Sequence, residues 1–229
     1  MRIACQFKQF SIAIGTALAI ATTTMGMPLA AHVVQAELEP QAEELYEQGA
    51  SQLTQGNFEG AINTFTQAVA LDPNFVEAHC DRGLAYAALG DYERAIAGFR
   101  QAIQLDPNHT DAHVRWGTAL ASLGDLPGAI EKFDQTLRLD PNYTDAYYNR
   151  GLAYYTLGNY QRAIADLDQA IQREPTFAQA YGRRGLAYNA LGEREAALSD
   201  LQQAATLFQE QGDSIGYQQT LDLIEIVQQ

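Results

Sequence analysis

The sequence predicts an all-α fold: a solenoid of five stacked helix-turn-helix units closed by one further C-terminal helix. Three observations predict it. Glycines recur at a step of 34 residues, at Gly49, Gly83, Gly117, Gly151 and Gly185 and again at Gly56, Gly90, Gly124, Gly158 and Gly192. Pro73, Pro107, Pro141 and Pro175 share that step, as do Ala61, Ala95, Ala129, Ala163 and Ala197. Between these marks, apolar and small residues fall at helical spacing. A strict period of this length with no insertion marks units that cannot bury their apolar faces alone and do so by stacking.

The elements follow in chain order. Residues 1–36 carry Arg2 and Lys8 and no acidic residue, then the apolar run FSIAIGTALAIA, then small residues ending Val34-Gln35-Ala36. A basic start, a short apolar stretch and a V-x-A site read as a signal peptide cut after Ala36. The apolar part is about a dozen residues, short of the ~20 that cross a bilayer, so no stable membrane span is expected after cleavage. Cleavage leaves 12 basic against 28 acidic residues and removes Cys5, so Cys80 has no intramolecular disulfide partner. Residues 37–41 read as a short linker. Units then occupy 42–75, 76–109, 110–143, 144–177 and 178–211.

The fourth unit shows how each is built. Tyr147, Gly151 and Tyr154 lie at i, i+4 and i+7, one face of a helix. Gly158 ends that helix in the left-handed position, and Asn159 caps the next, as Asn57, Asp91 and Asp125 do elsewhere. Ala163, Leu167 and Ala170 give the face of the second helix. An acidic residue before proline ends it, because that position disfavours the α region. Glycine inside a helix costs about 1 kcal/mol relative to alanine, so Gly151 and its counterparts imply a close crossing by the partner helix. In the fifth unit Gln209 replaces the proline, and the second helix is expected to run on to about Gln211. Residues 212–229 repeat a helical pattern through Tyr217, Leu221 and Ile224 and read as the cap that the last unit needs.

Composition narrows the function. The formal charge is −14, with 14 basic and 28 acidic residues. Such a chain repels phosphate backbones, so nucleic acid is not expected as a partner. No phosphate-binding glycine loop, H-E-x-x-H or G-x-S-x-G motif occurs. His109 and His113 stand four apart beside Asp111, a spacing that suits a metal pair on a helix, but His109 falls at the turn. His79 and His113 share one repeat position, so the repeat explains them. Gly182-Arg183-Arg184-Gly185 mimics a G-x-x-G loop yet lies inside an expected helix. Cys80 reads as a small packing residue. These residues give no catalytic constellation, no metal site and no cofactor, and the chain reads as non-enzymatic.

On the residues Gly151, Tyr154, Ala163, Ala170 and Pro175 of the fourth unit, and Trp116, Gly117, Ala129, Phe133 and Pro141 of the third, the chain resembles the tetratricopeptide-repeat (TPR) family. Departures are Leu167 for an aromatic residue, Leu120 for tyrosine and Thr136 for alanine. The resemblance implies a right-handed superhelix whose first helices line a concave groove. It also implies the groove positions. Mapped here they bring forward Tyr46, Leu84, Arg115, Tyr143, Tyr148, Asn149, Leu152, Tyr155 and Arg183 as candidate partner-binding residues. Tyr143, Tyr148 and Tyr155 map to the groove side, whereas Tyr147, Tyr154 and Tyr160 map to helix packing. Tyrosine is enriched at interface hot spots, but these three can equally cover a neighbouring repeat. Of the residues with which some family members clamp a C-terminal carboxylate, only Asn149 and Arg183 match. Val114, Thr118 and Gln179 do not, which speaks against such a clamp.

The expectation is a scaffold that binds protein or peptide segments and assists assembly or tethering of a complex. Exported proteins of this look resemble bacterial, particularly cyanobacterial, assembly factors, which implies a periplasmic or thylakoid-lumen location. Two alternatives stand beside it: self-association through the end helices with the groove idle, and a metal-binding or hydrolytic protein.

Overall fold

The computed structural model describes the backbone of residues 29–229 and the side chains of residues 40–229. The reading of 1–36 as a leader lies outside the described residues, apart from helical backbone from Leu29 on.

Among the described residues there are eleven α-helices: α1 (Leu29–Thr54), α2 (Phe58–Leu71), α3 (Val76–Ala88), α4 (Tyr92–Leu105), α5 (Thr110–Ser122), α6 (Leu126–Leu139), α7 (Thr144–Thr156), α8 (Tyr160–Arg173), α9 (Ala178–Ala190), α10 (Arg194–Glu210) and α11 (Ser214–Gln228). They form five helix pairs and a terminal helix. Helical backbone also runs through 37–41, where the sequence suggests a linker, with Pro40 inside α1.

The turn chemistry is as the sequence dictates. Asn57, Asp91, Asp125 and Asn159 accept the backbone N–H of Gly60, Arg94, Gly128 and Arg162, capping α2, α4, α6 and α8. Gly56, Gly90, Gly124, Gly158 and Gly192 have φ between 76° and 86°, the left-handed conformation that a side chain resists. At the other end of each unit, Asp72, Asp106 and Asp140 terminate the helix in extended backbone. Their carboxylates then accept the N–H of Asn74, Asn108 and Asn142 at 2.8–2.9 Å.

The small-residue positions are where the helices of a pair cross. A Cβ on Gly151 would lie 3.1 Å from Leu167 Cγ and 3.3 Å from the Ala163 carbonyl, so the partner helix of the same unit occupies that space. The second unit is tighter still, with glycine on both helices. A Cβ on Gly98 would meet the His79 carbonyl at 2.9 Å and Gly83 Cα at 3.0 Å, both backbone. The core between the pairs is repetitive for the same reason: Phe65, Phe99, Phe133, Leu167 and Leu201 fill one position in successive units and are all fully buried.

In the fifth unit, α10 has 17 residues against the 14 of α8, as the missing proline predicts. α11 then covers it: Val227 and Tyr217 close over Leu201, Leu207 and Phe208. Arg194 Nε donates to the Val227 carbonyl and ties the cap to the start of α10.

Candidate polypeptide-binding groove

Each odd-numbered helix from α1 to α7 touches the next odd-numbered one, and each even-numbered helix packs against its own partner and the odd helix that follows. The odd rank is therefore the closely spaced inner wall and the even rank the wider outer one. All nine candidate residues lie on the odd helices or, for Tyr143, at the cap of α7.

Aromatic shelves cross this wall. Tyr46 on α1 lies 4.9 Å from Phe75, the residue that opens α3, and Tyr148 on α7 lies 4.7 Å from Phe177, which opens α9. The two pairs occupy equivalent positions three units apart. Tyr143 opens α7 and packs against Val114 and Phe133. Tyr155, in the last turn of α7, meets the edge of Tyr160 at 5.4 Å.

The three tyrosines thus point three ways: Tyr143 back toward α5 and α6, Tyr148 forward to the start of α9, and Tyr155 to its own partner helix. They form a line along α7 rather than a cluster, with about 18 Å of helix between the first and the last. Each is half-buried, so part of each ring packs and part stays accessible. Leu84 is half-buried against the first unit, and Leu152 and Asn149 are half-buried along α7. Arg183 is exposed on α9.

A polar network runs beneath the shelves. The Tyr46 hydroxyl donates to Asp81 at 3.0 Å, and the Tyr143 hydroxyl donates to Asp111 at 2.5 Å. Asp81 is buried, 6% exposed, and burial pushes its carboxyl above the usual range. The Arg115 charge and the Tyr46 bond pull the other way. Burial and the bond to Asp111 push the Tyr143 hydroxyl well above the ordinary tyrosine range. Arg115 sits among these groups and acts on both Asp81 and Tyr143.

Among the described residues the histidines are spent on backbone. His109 Nδ1 accepts the N–H of Ala112 at 3.1 Å, as a cap of α5, while His113 Nε2 bonds the Pro107 carbonyl at 3.0 Å. His79 makes the equivalent bond to Pro73, and burial holds its ring below the ordinary histidine value. The G-x-x-G stretch is part of α9, with Gly185 against the Ala197 carbonyl. Cys80 is fully buried.

One set of ionic residues escaped the sequence reading. Arg150 donates Nε and Nη2 to Asp166 at 2.8 and 2.6 Å, and its Nη1 pairs with Asp134. Arg184 repeats this with Asp200 at 2.7 Å and Asp168 at 2.6 Å. Each arginine stitches the second helix of one unit to the second helix of the next. The signal was legible: an aspartate lies 16 residues on either side of each arginine. In the third unit Trp116 takes the arginine's place, with Lys132 over its ring at 4.2 Å. A crevice of about 470 Å³ lies between α8, α9 and α10, and the Arg184 pairs line it.

Comparison with known proteins agrees with this geometry. Models of the tetratricopeptide repeat match residues 46–110, 144–177 and 178–211, and a TPR repeat model matches 117–158. The solved structure of MamA is 30% identical over 72% of this chain and 96% of its own, with a TM-score of 0.66. MamA from Desulfovibrio magneticus RS-1 superposes at a TM-score of 0.68 with 24% identity, over 74% of this chain and 96% of its own. YrrB, described as a TPR protein with an unusual peptide-binding site, does so at 0.63 with 20% identity, over 85% and 98%. No curated protein sequence matches significantly.

Proposed function

The chain belongs to the tetratricopeptide-repeat family, and from that premise we propose that it is a non-enzymatic scaffold which holds peptide segments of partner proteins against its inner wall. TPR domains bind protein and peptide partners. The observation that carries the proposal is the inner wall itself. Its half-buried aromatic shelves, Tyr46 with Phe75 and Tyr148 with Phe177, offer apolar contact area beside polar side chains, the mixture that extended or helical segments dock on. The peptide-binding site named for YrrB supports the same reading for a related fold. Asn149, Leu152, Tyr155 and Arg183 extend the wall toward the fifth unit.

The leader-like residues 1–36 support export, and the scaffold would then serve assembly or tethering of an envelope or thylakoid-lumen complex. Tagged protein carrying Tyr148→Ala and Tyr155→Ala, with its helicity and melting checked against the parent, tests the site. Partner capture from the native envelope fraction should fall at least ~30-fold, since truncating a hot spot costs about 2 kcal/mol or more. Undiminished capture by the folded variant refutes the placement. Mass measurement of the exported protein tests the leader: a chain starting at Glu37 is expected, and one starting at Met1 refutes cleavage.

A further inference from the structure

We infer that the segment held by this groove is cationic, with apolar anchors, and that it lies extended across the first two units; the inference rests on the peptide-binding reading above. Of the charged side chains on the inner wall, Glu43, Glu47, Glu77 and Asp145 are exposed. Among the described residues no lysine or arginine forms a salt bridge with any of these four. Five arginines lie on the inner helices, but their availability differs: Arg150 and Arg184 are paired with aspartates, and Arg82 is half-buried with its Nη2 3.5 Å from His79 Nδ1. Arg115 is half-buried and acts on Asp81 and Tyr143, so its charge is already answered within the protein. Arg183 is exposed, four units from Glu43. The accessible wall is therefore anionic over its first two units, on a chain whose formal charge is −14. An acidic tail would meet like charge there, and like-charge juxtaposition is a strong determinant against a partner.

The register of the acids sets a spacing. Glu43 and Glu77 occupy the same position on α1 and α3, neighbouring helices of the inner rank. Packed helices stand roughly 8–10 Å apart. A chain in the extended polyproline II conformation advances about 3.1 Å per residue with three residues per turn, so cations three residues apart fall on one face, roughly 9 Å apart, and match the two carboxylates. The Tyr46–Phe75 shelf lies between them in the chain and gives an apolar or aromatic-stacking contact for the intervening residues.

Three fluorescein-labelled peptides of one length and one set of apolar residues test this, carrying Lys-x-x-Lys, Glu-x-x-Glu or Gln-x-x-Gln. Anisotropy titrations use the full chain, the variant Glu43→Gln with Glu77→Gln, and the control Glu59→Gln with Glu93→Gln. The control residues are also exposed and also one repeat apart, but lie on α2 and α4 of the outer rank. The lysine peptide should bind at least about tenfold tighter than the glutamate peptide and weaken as salt rises. The inner pair of substitutions should weaken it roughly fivefold or more, and the outer pair less than about twofold. Equal loss from both pairs means unspecific attraction to an acidic protein and overturns the proposal. If all three peptides bind alike and Tyr148→Ala weakens them, the groove reading stands and the cationic one falls. Preference for the glutamate peptide, or no binding of the lysine peptide, also overturns it, and partner capture then judges the groove separately.

Discussion

Two glycine-to-alanine substitutions separate helix propensity from helix crossing. Gly98 on α4 and Gly182 on α9 both lie inside helices, so alanine should stabilise each helix by about 1 kcal/mol. Their surroundings are opposite. A Cβ on Gly182 finds only the Ala204 Cβ, at 3.9 Å, an ordinary contact. A Cβ on Gly98 would press on the His79 carbonyl at 2.9 Å and on Gly83 Cα and N at 3.0 and 3.2 Å. These are backbone atoms of α3, so no rotamer change relieves them and the two helices must part. Overpacking of this kind costs about 1–3 kcal/mol, which cancels or exceeds the propensity gain. Gly182→Ala should therefore melt about 2–4 °C above the parent, at ~2–4 °C per kcal/mol for a chain of this size. Gly98→Ala should match the parent or fall several degrees below it. Helical circular dichroism followed through heat and urea measures both. If Gly98→Ala is as stable as Gly182→Ala, close approach at that crossing does not explain the glycine.

Other predictions concern charge and closure. Because burial raises the Asp81 carboxyl above its unfolded value of about 3.8, the folded state holds the extra proton between those two values, and stability falls as pH rises through that window. Asp81→Asn removes this fall while still accepting the Tyr46 hydroxyl, so it should gain on the parent at pH 7 relative to pH 3; parallel urea midpoints at the two pH values refute this. Arg184→Ala leaves Asp200, 9% exposed on its side chain, without its bidentate partner and should cost about 2 kcal/mol by urea denaturation; a loss below ~0.5 kcal/mol would reduce the ladder to a surface pair. Ala163→Leu should cost about 1–3 kcal/mol by crowding the fully buried crossing with Gly151; an unchanged melting temperature counts against it. Removing α11 uncovers Leu201, Leu207 and Phe208 and should drive aggregation in light scattering; a truncated chain that stays monomeric and equally stable refutes the capping role.

The repeat made the fold legible because each period mark has one backbone consequence. Gly158 must turn, Asn159 must cap, Asp140 before Pro141 must stop a helix, and the absence of proline at Gln209 must let one continue. The site was legible only as positions on a face. Sequence places Tyr148 on the groove side but does not reveal that Phe177 shares its ring surface, because that contact joins α7 to the cap of α9, with all of α8 between them in the chain. The Arg150 and Arg184 bridges were missed for a related reason. Asp166 and Asp168, two residues apart, do not share a helix face, and each serves a different arginine. Pairing of that kind depends on which unit's groove each side chain enters. Arg115 shows the same limit: its position suggests a charge offered to a partner, and Asp81 beneath it answers that charge from inside.

Hydrogen exchange of the full chain with and without a captured partner segment tests the central claim most directly. Slowed exchange in α1, α3 and α7, with α2, α4 and α8 unchanged, is the result expected if polypeptide lies against the inner rank. Protection confined to the even helices or to α11 would place the partner on the outer rank or the end and contradict the account.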